Sequence, residues 1–147
     1  MSNNIPSYLP SIGKSVRFVG YKVGDIYATF LQESGLTLQQ WVLLSGLWRQ
    51  DGMTVSEMSV YTHTGKAAIS RLVSRMEIAE LVKRESEASD SRVVRIWLTE
   101  KAKGLSHLSN LYEKVNAVLF EGFDEKEQKY MFEALDRMLK NADAFTK

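Results

Sequence analysis

Cysteine is absent from the 147-residue sequence, and proline occurs only twice. Without cysteine the chain has no disulfide framework, thiolate metal site, cysteine nucleophile or thiol redox sensor. Pro6 and Pro10 both lie near the start, so no proline interrupts a helix from Ser11 onward. An excess of one charge is also lacking, because 19 basic residues balance 18 acidic ones. The total charge therefore gives no indication of a nucleic-acid partner.

Long hydrophobic runs are missing as well. The densest run, Trp41 to Trp48, is eight residues long and includes a serine and a glycine, whereas a membrane-spanning helix needs about 20 apolar residues. The beginning of the chain shows no basic segment followed by an apolar one, as a signal peptide would. These absences predict a cytoplasmic protein without a membrane partner.

Capping residues and apolar spacing indicate a mainly helical chain. Three pairs have the capping-box pattern, in which two side chains satisfy free N–H groups of the first helical turn: Thr37 with Gln40, Thr54 with Glu57, and Asp124 with Glu127. Thr64 and Thr99 are candidate single caps. Together with the apolar periodicity, these residues predict helices at 12–33, 38–50, 55–61, 65–80, 100–120 and 125–145.

The pattern changes between residues 81 and 98. The segment Arg92 to Leu98 alternates with a period of two and is rich in β-branched residues, which is typical of a strand. The short segment Leu81 to Glu85 precedes it, and the polar stretch Ser86 to Ser91 lies between them. This order predicts a β-hairpin, the only strand pattern that stands out in the chain.

Apolar residues form a seam along the first helix and along each of the last two. The residues of the first seam are separated by four and three positions in turn: Ile12, Val16, Val19, Val23, Ile26 and Phe30. A repeat of about 3.5 residues is typical of helices that pack on other helices. The seam alone does not separate a contact within the chain from a contact with a second copy.

Three short helices followed by a β-hairpin are the order of a winged helix–turn–helix, whose second helix enters the major groove of DNA. That recognition helix is predicted at residues 65–80. Its apolar positions Ile69, Leu72, Val73 and Met76 share one face, and polar and basic residues lie largely off it. The small residue Ala67 near its start permits close approach to DNA. The predicted fold class is therefore mainly α with a small β-hairpin, a winged helix–turn–helix flanked by N- and C-terminal helices.

The charge is unevenly distributed along the chain. Residues 63–103 contain nine basic and six acidic residues, whereas residues 104–147 contain six basic and eight acidic ones. Residues 1–62 are balanced, with four of each. The positive excess lies in the predicted recognition helix and hairpin, although a solvated amphipathic helix would explain an excess of this size as well.

The stretch from Leu36 to Gly104 resembles the MarR (multiple antibiotic resistance regulator) family of transcription factors. The matching segments are LTLQQWVLL at 36–44, TVSEMSVYTHTGKAAISRLVSRME at 54–77 and LVKRESEASDSRVVRIWLTEKAKG at 81–104. The most specific part is Asp90-Ser91-Arg92 followed by a strand and Leu98-Thr99-Glu100-Lys101, together with Ser70-Arg71 and Arg75. The resemblance implies a homodimer on double-stranded DNA, with residues 1–35 and 100–147 as the dimerisation region and residues 36–99 as the DNA-binding domain.

The resemblance also implies roles for individual residues. Ser70 and Arg71 match the recognition helix, Arg92 matches an arginine that enters the minor groove, and Asp90 matches its acidic partner. In the alternative, Asp90 and Arg92 only hold the hairpin tip together. Lys66 is a candidate phosphate contact, and so is Lys83 or Arg84; such contacts position a protein without specifying sequence. Arg75 is a further DNA-binding candidate, or buttresses the helix through an acid such as Glu77.

The sequence departs from the family pattern at the end of the recognition helix. The family usually has glycine there, before the first strand, and this chain has Glu80. Glycine tolerates the left-handed conformation that often ends a helix. We therefore expect this helix to end differently or with some strain.

A small aromatic or anionic effector is also implied, because many family members bind one between the DNA-binding domain and the dimerisation helices. The candidate ligand residues are Tyr21, Trp41, Trp48 and His107, although ordinary core positions would explain the tryptophans as well. Enzymatic patterns are missing: the chain has no glycine-rich phosphate loop and no His-x-x-x-His pair. We expect no catalytic site, cofactor or metal. The alternative to a DNA-binding regulator is a winged helix that contacts another protein.

Overall fold

The computed structural model describes residues 10–147 and shows the expected fold class, mainly helical with a small antiparallel sheet. The first nine residues, which belong to the predicted dimerisation region, lie outside the described part. The helices are α1 (Ile12–Leu31), α2 (Leu38–Arg49), α3 (Val55–Thr62), α4 (Lys66–Ile78), α5 (Glu100–Lys103), α6 (Leu111–Leu119) and α7 (Glu125–Thr146). The strands are β1 (Met53–Thr54), β2 (Val82–Ser86) and β3 (Val94–Leu98).

The predicted capping boxes place the starts of three helices correctly. Thr37, Thr54 and Asp124 each cap a helix, and in each case both hydrogen bonds of the box are present. Thr99 is confirmed as a single cap, since its hydroxyl accepts from the Ala102 amide at 3.2 Å. Thr64 is wrong as a cap, because α4 begins after Gly65, which has no side chain to offer.

The sheet has the strand order β1-β3-β2, with all neighbours antiparallel. β2 and β3 form the predicted hairpin, with Val82 opposite Leu98 and Ser86 opposite Val94. β1 is not predicted by the sequence pattern, and it pairs Met53 with Ile96 on the other edge of β3. The hairpin and its connecting loop, residues 82–98, are called the wing below.

The predicted helix at 100–120 is wrong in its continuity. It is divided into α5, a 3₁₀ turn at Ser106–Leu108, and α6. A 3₁₀ turn also follows α1, at Gln32–Ser34, where the sequence predicts a longer first helix. Leucines spaced by three residues fit a 3₁₀ turn as well as an α-helix, so apolar spacing does not distinguish the two.

The chain forms two compact units, one ending at Leu111 and the other comprising Tyr112–Lys147. The core of the first unit gathers buried side chains from α2, α3, α4 and the sheet, with Leu44, Met58, Val73, Met76 and Ile96 at most 1% exposed. In the second unit the ring of Phe120 meets those of Phe123 and Phe132 edge to face, at centroid distances of 5.5 and 5.3 Å. The core of the first unit positions α4 and the wing.

The recognition helix ends in a left-handed turn at Glu80, whose φ is 58°. The amide of Leu81 donates to the carbonyl of Met76 and the amide of Glu80 to that of Glu77, both at 2.9 Å. These two bonds form a Schellman motif, the helix ending for which glycine is preferred. The second of the two expectations for this position is therefore confirmed: the helix ends in the usual way, with a strained residue.

Replacing Glu80 with glycine should raise the free energy of unfolding by about 0.5–1 kcal/mol. Glycine removes a left-handed strain of about 1–2 kcal/mol and loses part of that gain to the greater entropy of the unfolded chain. The measurement is the urea midpoint at fixed protein concentration. Glu80→Ala removes the same carboxylate but keeps the strain, so it should show no such gain. A midpoint for Glu80→Gly no higher than that of Glu80→Ala would contradict the strain.

Candidate nucleic-acid interface

The recognition helix α4 has one buried face and one exposed polar face. Ile69, Val73 and Met76 are buried in the core of the first unit. The exposed residues of the opposite face include most of the predicted DNA-binding positions: Lys66, Ala67, Arg71 and Arg75, with Ser70 half-buried beside them. The core contacts therefore hold a basic surface toward solvent, as the amphipathic pattern predicts.

The start of α4 is open to an anion. Its N-cap is Gly65, and within residues 10–147 no side chain accepts a hydrogen bond from the first turn. The amides of a first helical turn have no partner within the helix and lie at the positive end of its dipole. The exposed ammonium of Lys66 begins the same turn. This end of the helix therefore suits a phosphate group.

The wing tip presents an arginine held by its neighbour. Arg92 donates from Nε to Asp90 Oδ1 at 3.1 Å and from Nη2 to Oδ2 at 3.2 Å, and its amide donates to Oδ1 at 3.0 Å. The hydrogen bonds from the Arg92 side chain, and to a smaller extent the one from its amide, hold the pKa of the Asp90 carboxyl below its usual range. The Arg92 side chain remains 89% exposed. The pair thus orients a guanidinium toward solvent at the hairpin tip.

The two basic residues of β2 have different surroundings. Lys83 is exposed, and its Nζ lies 3.2 Å from the Glu85 carboxylate. Arg84 lies instead against α4, where it hydrogen-bonds to Ser70, Ser74 and Glu77. The sequence predicts one or the other of them as a phosphate contact, and of the two the structure leaves Lys83 with the solvent-facing charge. Glu77 is the partner of Arg84 and is not the acid that buttresses Arg75.

Arg95 makes contacts at the wing that sequence reasoning does not single out. Its Nη1 donates to the Gly52 carbonyl at 2.9 Å, and its Nε donates to the Glu87 carboxylate. The hydrogen bond to Glu87 raises the pKa of Arg95. The Glu57 carboxylate, which belongs to the capping box of α3, lies 3.9 Å from Nη1. Arg95 therefore joins the base of the wing to the start of α3.

The four predicted ligand residues lie in three elements: Tyr21 in α1, Trp41 and Trp48 in α2, and His107 in a 3₁₀ turn. Trp41 Nε1 donates to the Leu108 carbonyl at 2.8 Å, and Trp48 Nε1 donates to the Ala102 carbonyl at 3.0 Å. Tyr21 is exposed on α1, where it accepts hydrogen bonds from Arg17, and His107 lies in a 3₁₀ turn. Both tryptophans thus attach α2 to the segment that follows the sheet.

A cleft of about 340 Å³ lies between α2 and α4. Its walls are mainly apolar, and its polar groups are few. It is lined by Leu38, Gln39, Val42, Thr62, Thr64, Ala68, Ile69, Leu72 and Arg75. These residues come from separate elements that only the tertiary fold brings together, and Arg75 is the one among them that the sequence marks as a candidate for function.

Other kinds of site find no support in the described part of the chain. Among residues 10–147, no three His, Asp or Glu side chains are grouped so that they would hold a metal ion. No helix within that range is long and apolar enough to cross a membrane. The basic surface of α4 and the wing is therefore the principal candidate site in the described structure.

Three helices, the last of which is the recognition helix, and a β-wing beside them define a winged helix–turn–helix protein of the DNA-binding class. Residues 34–93 match the model of the MarR family. The transcriptional regulator TtmR of Methylorubrum extorquens is 30% identical over 91 residues, which are 62% of this chain and 47% of that protein. The chain thus spans about half the length of this relative.

Solved structures show the same fold. The transcriptional regulator SlyA has a TM-score of 0.84 at 23% identity, over 93% of this chain and 99% of that chain. BpsR of Bordetella bronchiseptica, whose DNA binding is regulated by 6-hydroxynicotinic acid, has a TM-score of 0.80 at 20% identity, over 89% and 94%. Residues 34–93 are thus similar in sequence to the MarR family of transcriptional regulators, and the chain has the fold of these solved structures.

Proposed function

We propose that the chain is a sequence-specific DNA-binding regulator that acts as a homodimer on a palindromic operator. In this proposal α4 enters the major groove and the wing tip enters the flanking minor groove. The main support is the exposed basic face of α4, because within residues 10–147 neither Lys66 nor Arg71 has a carboxylate partner. Cations without a partner are available to phosphates and base edges. A winged helix used only for protein contact is not favoured by the family comparison.

The proposed dimerisation region comprises residues 1–35 and 100–147, and residues 36–99 form the DNA-binding domain. Exposed apolar side chains support this division. On α1, Ile12, Val16 and Val19 of the predicted seam are 61%, 47% and 55% exposed. On α7, Leu135 and Met138 are exposed, and Phe145 is 90% exposed. Apolar seams on two long helices would be covered by a second copy of the chain.

We propose repression as its mode of action, because a dimer seated across both grooves excludes other proteins from the same DNA.

The effector in this proposal is a small aromatic or anionic compound that binds in the cleft between α2 and α4. The cleft supplies an apolar wall and the Arg75 guanidinium, and Thr62 and Thr64 are among its lining residues. An anion held there would add negative charge beside α4 and weaken its attraction to phosphate. BpsR, a structural neighbour whose DNA binding responds to an aromatic acid, is consistent with it.

Binding to DNA from upstream of the gene, measured by gel shift across salt concentrations, tests the function. Each phosphate that the protein neutralises should contribute about −0.9 to the slope of log affinity against log salt. Sedimentation should give twice the 16.7 kDa mass of the chain at micromolar concentration. A flat salt response on that DNA, combined with tight binding to another protein, would favour the alternative. A mass near that of one chain would exclude the dimer.

Adding 6-hydroxynicotinic acid or salicylate as probes tests the effector proposal. Either compound should weaken DNA binding by the wild type and affect an Arg75→Gln variant less, because the guanidinium is the cation of the cleft. The matched control is Arg49→Gln, which removes a cation outside the cleft lining. Equal sensitivity of all three proteins would place the effector elsewhere.

A further inference from the structure

One basic side chain of the wing lies against the recognition helix. Arg84 Nη2 donates to the Ser70 carbonyl at 2.9 Å and to Ser70 Oγ at 3.3 Å. Its Nη1 donates to Ser74 Oγ at 3.2 Å and to the Glu77 carboxylate. Positions 70, 74 and 77 lie on one face of a helix, since they are separated by four and three residues. A single guanidinium therefore joins β2 to two turns of α4.

The charge of Arg84 is already neutralised within the protein. Its side chain is only 28% exposed, and the Glu77 carboxylate is its ion-pair partner. A phosphate contact by Arg84 would require the guanidinium to leave four hydrogen bonds and to expose Glu77 beside a second anion. Arg92 differs, because its side chain is 89% exposed at the wing tip. The surroundings of Arg84 thus favour a structural link over contact with DNA.

The same hydrogen bonds determine what Ser70 can offer to a base. Arg84 has only N–H groups, so Ser70 Oγ accepts from it. Among residues 10–147 the Ser70 hydroxyl donates no hydrogen bond. A serine can serve as donor or acceptor to bases in general. Here the arginine occupies one of the two lone pairs, and its positive charge beside the oxygen favours Ser70 as a donor over an acceptor.

We propose that Arg84 is a positioning residue for sequence recognition. It holds the wing and α4 in a fixed relative position, so that Arg92 and Ser70 enter adjacent grooves of the DNA together. It also orients the Ser70 hydroxyl to donate a hydrogen bond to an acceptor at a base edge, such as guanine O6 or thymine O4. It makes no phosphate contact. This inference depends on the proposed DNA-binding function and assigns a specificity role within it.

The test starts with selection of duplexes from a random pool by the wild-type protein. The affinity ratio between the selected duplex and a scrambled one is then measured at several salt concentrations for wild type, Arg84→Lys and Arg84→Ala. Both variants should lower the ratio about tenfold, the effect of removing one oriented hydrogen bond to a base. The salt slope should stay unchanged, since the same number of phosphates is neutralised. Arg84→Lys keeps the positive charge but lacks the planar guanidinium with its several N–H donors. If Arg84→Ala folds poorly, the lysine variant still distinguishes a positioning role from a phosphate contact.

Two controls separate positioning from other effects. Lys83→Ala removes an exposed cation on the same strand, and we expect the opposite result: a slope smaller by about 0.9 for each phosphate that is no longer neutralised, with little change in the ratio. Ser70→Ala should also lose selectivity, and the double variant should lose no more than Arg84→Ala alone, because the Ser70 hydroxyl contributes only when Arg84 orients it.

The outcomes distinguish this inference from the function on which it depends. Loss of selectivity at constant slope, shared with Ser70→Ala, supports the role of Arg84. A reduced slope with an unchanged ratio in the Arg84 variants would overturn it and make Arg84 a phosphate contact. Failure of the wild type to select any sequence would overturn the proposed function, and the role of Arg84 with it.

Discussion

Alanine in place of Arg92 should weaken binding to a selected operator by roughly 10–100-fold for each wing that contacts DNA. A narrow minor groove concentrates negative potential, and a guanidinium inserted into it gains both from this field and from hydrogen bonds to base edges. Asp90 already fixes the direction of the side chain through Nε and Nη2. The wing therefore presents Arg92 with little conformational entropy left to lose on binding.

Operator affinity measured by fluorescence anisotropy checks this expectation, with flanking A·T and G·C steps compared. The loss should be largest where the flanking steps are A·T, because their minor groove is narrower. Lys103→Ala is the matched control, since it removes an exposed cation at the end of α5 that already pairs with Glu100 at 3.2 Å. The free energy of unfolding should change little in the Arg92 variant, because the ion pair is at the surface. Intact affinity combined with a lower unfolding midpoint would mean that Asp90 and Arg92 only hold the hairpin tip.

Features determined by nearby residues are predictable from the sequence. The capping box of Thr37 and Gln40 spans three residues, and its hydrogen bonds form within one helical turn. The contact of Asp90 with Arg92 spans two residues. Such local contacts depend on short segments of backbone, so the residue types and their spacing suffice to predict them. The same holds for the face of α4 that is buried.

Features that depend on the tertiary fold are not predictable in this way. β1 has two residues and no periodicity, and it exists because Met53 and Thr54 pair with the far edge of β3. Arg84 and Ser70 are 14 residues apart and meet only because the wing packs beside α4. Sequence pattern alone therefore leaves Lys83 or Arg84 as a phosphate contact and gives no sign of the hydrogen bonds between Arg84 and α4. The cleft between α2 and α4 has the same origin.

The tryptophans of α2 show where the sequence leaves two interpretations open. Trp41 is a ligand candidate by residue type, with a core position as the alternative. The side chain is 6% exposed, its ring lies 4.9 Å from that of Tyr27, and its indole N–H donates to the Leu108 carbonyl. It therefore connects α1, α2 and the segment after α5 within one core. A buried indole with a satisfied N–H is typical of a residue that stabilises the fold.

Truncation of Trp41 to alanine should accordingly lower the free energy of unfolding by about 3–5 kcal/mol, the usual loss when a buried aromatic side chain leaves a cavity. Trp41→Phe keeps a ring against Tyr27 but removes the donor to Leu108, so it should cost about 1–3 kcal/mol for the carbonyl left without a partner. The ratio of the two losses reports how much of the stabilisation comes from packing and how much from the hydrogen bond. Urea unfolding at one protein concentration, followed by far-UV circular dichroism, measures both. A Trp41→Ala protein with an unchanged midpoint would contradict the core role and return Trp41 to the ligand candidates. The Trp41→Phe variant should also weaken DNA binding only in proportion to its loss of folded protein.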